Sequence, residues 1–213
     1  MSKNEANVAV KIDDVTFTLK QPHDFSWLAR MGRVFQVFSQ NDSGNISFGV
    51  DTGQGKLFVK AAGLHTVESA CTPGEAVGNL RAAMQVYEDI KHPALIRLRG
   101  HYPVGGLYVA VFDWAQGDCL HDHWNFDYYE AHPEVTPPAR RFKGLPVEKR
   151  LEACGVLFSF LEETARRGYV AVDLYDASIL YDFGQGRTTI CDIDLFQRAP
   201  VVNTAGAGYY GSE

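Results

Sequence analysis

Apolar and polar positions alternate with period two over much of the first half of the chain. Residues 8–19, VAVKIDDVTFTL, alternate about Asp13 and Asp14 and predict a small hairpin. Residues 25–31 fit a helical turn and a strand equally well. Val34–Ser39, Ile46–Asp51 and Lys56–Ala61 read as three strands, with turns at residues 41–45 (NDSGN) and 53–55 (GQG). Short turns of that kind imply an antiparallel meander. The period then changes. Val77, Leu80 and Met84, with Tyr87 beyond them, recur at helical spacing within residues 73–91, which open near Pro73 and end at His92-Pro93. Leu95–Gly100 and Leu107–Asp113 predict two further strands. The first half therefore reads as a five-stranded antiparallel sheet with one helix inserted after the third strand.

The second half is less regular. Residues 121–144 are polar, aromatic and proline-containing and show no period, so they read as an irregular insertion. His121, His123 and His132 lie in it and read as solvated loop histidines rather than metal ligands. Residues 146–167 predict an amphipathic helix whose apolar stripe is Leu151, Cys154, Leu157, Phe158, Leu161 and Ala165, with Gly168 placed to stop it. Two short apolar runs follow, at residues 178–181 and 188–191, around the turn residues 183–186 (FGQG). They predict a hairpin with an acidic residue at each open end. Antiparallel pairing about a turn centred near Gln185 puts Ser178 opposite Asp192, within one residue, with Asp173 one tight loop earlier. Oxygen-bearing side chains converging on one small gap are the ligands that Mg²⁺ on a nucleotide requires. The tail from Ala199 is glycine-rich and reads as mobile.

Composition narrows the class. The 213 residues suffice for one large domain or two small lobes, and 46% hydrophobic against 22% charged content marks a globular chain. A formal charge of −6 argues against a nucleic-acid partner, which would favour a basic face. The four cysteines, Cys71, Cys119, Cys154 and Cys191, include no C-x-x-C pair, so no structural zinc site is expected. Cys154 and Cys191 sit in apolar contexts and read as core thiols, and a reducing cytoplasm fits. No signal peptide and no membrane-spanning run are expected.

The order of elements and several motifs resemble the protein kinases and the related small-molecule kinases, from about Phe25 onward. Residues 58–61 (FVKA) resemble the lysine motif of the third kinase strand. The resemblance makes Lys60 the residue that holds the nucleotide phosphates, and Glu75, fifteen residues on, its partner carboxylate. Residues 111–117 (VFDWAQG) resemble the hinge, which implies that Phe112 and Trp114 adjoin an adenine. Ser43, Gly44 and Asn45 resemble the phosphate loop of small-molecule kinases. Residues 172–180 (VDLYDASIL) resemble the catalytic loop, with Asp173 as base. Residues 191–194 (CDID) resemble the metal-binding motif, with Asp192 as Mg²⁺ ligand and Asp194, where the family usually has glycine, as a further metal oxygen. Ser178 stands where asparagine usually holds a second Mg²⁺.

The resemblance implies an α+β two-lobe fold: an N-lobe at 1–113, a hinge at 114–117 and a partial C-lobe at 118–213. It implies transfer of the γ-phosphoryl of ATP, with Mg²⁺, to a hydroxyl. Three functional forms stay open: a serine/threonine protein kinase, a small-molecule kinase of the aminoglycoside or choline type, and a non-catalytic nucleotide-binding or scaffolding module. The last is suggested by Ala171-Val172 in place of the usual His-Arg and by Ser178. The acceptor is a protein or a small molecule. A short C-lobe would leave an apolar face through which the chain associates.

Overall fold

The computed structural model describes residues 7–40 and 42–201 and shows a mixed α+β chain that divides into two compact units. The glycine-rich tail, from residue 202 on, lies outside the described residues. The first unit spans residues 1–84 and 97–114, and the second spans 85–96 and 115–213. Among the described residues, no helix is long and apolar enough to cross a membrane.

The first unit opens with the antiparallel pair β1 (Val8–Ile12) and β2 (Val15–Leu19), turned by Asp13 and Asp14. A single helical turn, α1 (Ser26–Ala29), resolves the ambiguous stretch that follows. Next come β3 (Arg33–Phe38), β4 (Asn45–Asp51), β5 (Lys56–Ala62), the helix α2 (Pro73–Asp89), whose residues 85–89 belong to the second unit, β6 (Leu98–Val104) and β7 (Leu107–Asp113). The five strands β3 to β7 form one antiparallel sheet in the order β3-β4-β5-β7-β6. Period-two alternation sorts its faces. Ile46, Phe48, Val50, Val59, Ala61, Val109 and Val111 point to one side and bury there with Phe17, Leu19, Trp27 and Leu28. The expected strand at Leu95–Gly100 is displaced: β6 starts at Leu98 and runs to Val104. Residues 94–96 pair elsewhere, with Ile190 in the second unit, where the Ile96 amide donates to the Ile190 carbonyl at 2.8 Å.

The second unit holds β8 (Asp118–Cys119), α3 (Phe126–Ala131), α4 (Pro138–Lys143), α5 (Val147–Arg166), β9 (Tyr169–Val170), β10 (Ile179–Asp182), β11 (Arg187–Ile190) and β12 (Gln197–Arg198). The stretch 121–144 expected to be irregular thus contains two short helices and a 3-10 turn at His123–Asn125. Each helix has six residues, too few for the apolar period to show in the sequence. The predicted hairpin forms as β10 and β11, with β8 on its outer side. Its turn is built by Asp182, whose Oδ1 accepts from the amides of Gly184 (2.8 Å) and Gln185 (3.0 Å).

The long helix α5 forms where expected but turns a different face inward. Ala153, Phe160 and Thr164 are its buried residues. Leu151, Cys154, Phe158 and Ala165, all in the predicted stripe, are exposed.

Candidate functional site

In the first unit, Lys60 stands on β5 between Ser47 of β4 and Ala110 of β7. Its neighbours Val59 and Ala61 point into the core, so Lys60 lies on the opposite face of the sheet. It is only 8% exposed, whereas lysine ordinarily keeps its ammonium in water. One pair further along the same face, Gly49, Phe58 and Phe112 are cross-strand partners. A Cβ at Gly49 would lie 2.6 Å from the Phe35 ring and 2.9 Å from Trp114. Glycine there makes room for aromatic packing: Phe35 meets Trp114 edge-on at 4.9 Å, and Phe58 lies 6.2 Å from Phe112 and 6.5 Å from Trp114. Of the two rings that the resemblance sets beside an adenine, Phe112 is buried in this cluster and Trp114 is partly exposed. The Trp114 amide donates to the Lys56 carbonyl at 3.1 Å.

The turn bearing Gly44 and Asn45 is held down by the segment after β5. The Ala70 amide donates to the Asp42 carbonyl at 3.0 Å, and Cys71 Sγ contacts the Ser43 carbonyl at 3.3 Å. Gly44 has φ 76°, and a Cβ on it would come within 2.9 Å of Ser69 Oγ and 3.0 Å of Cys71 Sγ. Only glycine fits. Asn45 is buried, and its Oδ1 has no hydrogen-bond partner among the described residues. A side-chain amide can present either end by a flip, so this orphaned group offers a donor as readily as an acceptor.

Glu75 is placed differently from what the resemblance implies. It forms a capping box with Thr72 at the start of α2. The Thr72 amide and hydroxyl both donate to Glu75 Oε2 at 2.7 Å, and the Glu75 amide donates back to Thr72 Oγ1 at 3.3 Å. The Thr72 amide, then its hydroxyl, holds the Glu75 carboxyl below its ordinary range. The signature is legible as T-x-x-E with Pro73 between.

In the second unit, two predicted acids share an uncommon backbone. Asp173 has φ 60° and Asp192 has φ 52°, left-handed conformations that disfavour residues with a Cβ. Among the described residues the remaining non-glycine case is Asp13. Its position is explained by the β1–β2 turn and by its Oδ2, which accepts from the Val34 amide at 2.7 Å. Asp173 and Asp192 lie nineteen positions apart, one after β9 and one after β11. Both act on the hydroxyl of Tyr175, which burial first, then these two carboxylates, pushes up to about 12. Asp173 and then Asp192 are thus the carboxylates that bear most on the Tyr175 hydroxyl. Tyr175 is a member of the site that sequence reasoning missed, since one tyrosine in a loop carries no periodic signal.

Ser178 is buried beside the hairpin, and Asp194 is engaged by a tyrosine. Ile179 pairs with Ile190, and the Cys191 amide donates to the Ser178 carbonyl at 2.9 Å, so Ser178 lies opposite Cys191, one residue from the expected Asp192. Its side chain is 1% exposed. Asp194 Oδ1 accepts from the Tyr87 hydroxyl at 3.1 Å, and the Ile193 amide donates to the same hydroxyl at 3.1 Å. Burial above all, then Asp194 and Asp192, pushes the Tyr87 hydroxyl well above its usual range.

Among the described residues, no three histidine, cysteine, aspartate or glutamate side chains are grouped to hold a metal ion. His121 approaches Asp176 Oδ1 at 3.9 Å, and His132 stacks on Tyr128. A Mg²⁺ ion that arrives with a nucleotide needs only one or two carboxylates beside the phosphate oxygens, and the pair Asp173 and Asp192 fits that donor set. No protein-family model matches this chain, and no curated protein is significantly similar to it.

Proposed function

We propose that this chain is an ATP-dependent phosphotransferase with a protein-kinase-like, two-lobe fold, acting on a hydroxyl and in the first instance on serine or threonine of a protein. One observation carries the reading: Asp173 and Asp192 both hold a left-handed backbone and both bear on Tyr175. A non-glycine residue in that region is strained by about 1–3 kcal/mol and persists only where its surroundings over-determine it. Turn geometry accounts for Asp13, whereas these two carboxylates come from separate loops. Lys60, buried on the face opposite the core, and the aromatic cluster beside it support the same reading from the first unit.

Bound ATP with Mg²⁺ would supply an activated phosphoryl group. Asp173 would accept the proton of the attacking hydroxyl. Asp192 would hold the metal, and Lys60 would neutralise phosphate oxygens. Tyr175, raised by burial and then by these carboxylates, stays protonated and uncharged at neutral pH, so it adds no further negative charge beside them. Positioning and electrostatics of this kind supply most of the acceleration in phosphoryl transfer. A reducing cytoplasm suits the four free cysteines.

The test is a thermal titration with ATP and Mg²⁺, run beside Lys60→Ala and Asp192→Ala. Saturating ligand at about a hundred times its Kd adds about 2.7 kcal/mol to stability, a rise of about 5 °C or more in a chain of this size. A Mg²⁺-dependent rise that both variants lose, followed by label transfer to a hydroxyl acceptor, is the expected result. No rise in the intact chain would overturn the reading. Screening hydroxylated metabolites and antibiotics beside protein substrates separates the two acceptor classes.

A second reading has its own support. Glu75 is spent on the Thr72 cap and Asp194 on Tyr87. A non-catalytic nucleotide-binding or scaffolding module would leave them so. It predicts a thermal shift with no turnover on any acceptor or on water.

A further inference from the structure

Phe126, Tyr129 and Glu130 share one face of α3, since residues three and four apart on a helix are neighbours. With Pro137, in the segment that leads into α4, they line a cavity of about 400 Å³. That volume lies at the small end of ligand sites. The cavity opens to solvent: Phe126 is 51% exposed, and Glu130 is exposed as well.

Its rings are held in place from behind. The His121 ring meets Phe126 edge-on at 5.4 Å. The Tyr129 hydroxyl donates to Asp122 Oδ2, which also accepts from Asn125 Nδ2 at 3.0 Å. Asp122 is only 6% exposed, and a carboxylate so buried is retained only where it is paired. Here the pairing fixes the Tyr129 ring. The Glu130 carboxylate, by contrast, has no hydrogen bond or ion pair among the described residues. From residue 115 to residue 139 the chain carries five carboxylates and no lysine or arginine. Two preset aromatic rings, a proline and an unpaired carboxylate in an acidic stretch complement a cation on an apolar stem.

We infer that this cavity seats an arginine side chain presented by another protein. A guanidinium stacks flat on aromatic faces, pairs with a carboxylate through two parallel N–H groups, and is more weakly hydrated than an ammonium. Lysine offers neither the plane nor the fork. The open mouth decides between a protein and a free molecule. Sites for small molecules enclose most of the ligand's surface. Four side chains around an open mouth do not; they hold a side chain whose own backbone runs across the opening. The inference goes beyond the phosphotransferase reading and is independent of it, since it uses neither Asp173 nor Asp192 and its test needs no nucleotide.

The test is an NMR titration of the full chain with the peptide acetyl-Ala-Ala-Arg-Ala-Ala-amide, beside the same peptide with citrulline or lysine at its centre. Citrulline keeps the shape of arginine and removes the charge. The arginine peptide should shift the ring signals of Phe126 and Tyr129 saturably. The other two should bind at least about threefold more weakly, the scale of an exposed ion pair or cation–π contact. Glu130→Gln and Phe126→Ala should each weaken the arginine peptide by a similar factor while the melting temperature holds, since both side chains are exposed. n-Butylguanidinium, the side chain without its backbone, should bind more weakly than the peptide. No saturable shift at those rings would overturn the proposal. So would a citrulline or lysine peptide that binds as tightly, or binding indifferent to Glu130→Gln. n-Butylguanidinium binding as tightly as the peptide would overturn the protein as occupant and assign the cavity to a free organic cation.

Discussion

The Tyr87 hydroxyl, near the end of α2, donates to the Asp194 carboxylate while accepting from the Ile193 amide, both at 3.1 Å. One buried phenol thus fixes the segment after the acidic hairpin. Tyr87→Phe removes the oxygen and leaves the Ile193 amide without this acceptor. A buried donor stripped of its partner costs about 1–3 kcal/mol. Chemical denaturation should show Tyr87→Phe less stable by about 2 kcal/mol, with an unchanged denaturant slope. A change below about 0.5 kcal/mol would mean that water or a neighbour replaces the hydroxyl.

The same tyrosines give the chain an alkaline dependence. Burial raises both Tyr87 and Tyr175, Tyr175 to about 12, above the ordinary value of 10.0. Between pH 10 and 12 the unfolded chain releases these protons and the folded chain keeps them. The unfolded state then binds fewer protons, so stability falls as pH rises. It is fully present below about pH 10, and the loss sets in above it. Denaturant midpoints measured from pH 8 to 11.5 should fall more steeply for the parent than for Tyr175→Phe. Parallel curves would show that the phenol ionises as freely in the fold as out of it.

Much of the sheet was legible in the sequence because its cause is local. Alternation and short polar turns determine β3, β4, β5 and β7, and a one-residue uncertainty in the hairpin register was the limit of that logic, since Phe183–Gly186 is a four-residue loop. Two things were not legible. Residues 94–96 look like the start of β6 because they are apolar, but Ile190 supplies a different pairing partner, and no local signal reports that competition. Helix α5 carries two apolar sides. Spacing identifies the one lined by Leu151 and Phe158, but burial depends on which side meets the rest of the fold, and small Ala153 and Thr164 beside Phe160 lose to Leu151 and Phe158 in any ranking by hydrophobicity. At the candidate site, Asp173 and Asp192 were visible by motif. Their backbone strain and their common neighbour Tyr175 were not, because aspartate is ordinary in loops and φ is not written in residue type. The Thr72 and Glu75 cap is written in the sequence as T-x-x-E, and a glutamate in that position serves its own helix start.

Two glycines of similar sequence context should differ sharply. Gly32 has φ 155°, and a Cβ there would lie 2.2 Å from the Asp51 carbonyl oxygen, a backbone atom at the end of the adjoining strand. Gly53 has φ 77° with open space around it. Gly53→Ala should cost about 1–2 kcal/mol, the strain of a left-handed residue alone. Gly32→Ala must also displace β3 from β4 and should cost more than about 3 kcal/mol. Equal losses in the two variants would mean that the sheet edge shifts freely to accept a methyl group.

Backbone strain at Asp192 separates function from stability. With φ 52°, the position favours glycine over any residue with a Cβ. Asp192→Gly and Asp192→Ala both delete the carboxylate, so both should abolish the Mg²⁺-dependent nucleotide shift. Their stabilities should differ: the glycine variant relieves the left-handed strain and should exceed the alanine variant by about 1 kcal/mol. Nucleotide response is read by thermal titration and stability by denaturant unfolding of the same samples. If the two variants are equally stable, the φ is not held by the fold, and strain no longer distinguishes Asp192. If either retains the Mg²⁺-dependent shift, the carboxylate is not the metal ligand, whatever its backbone.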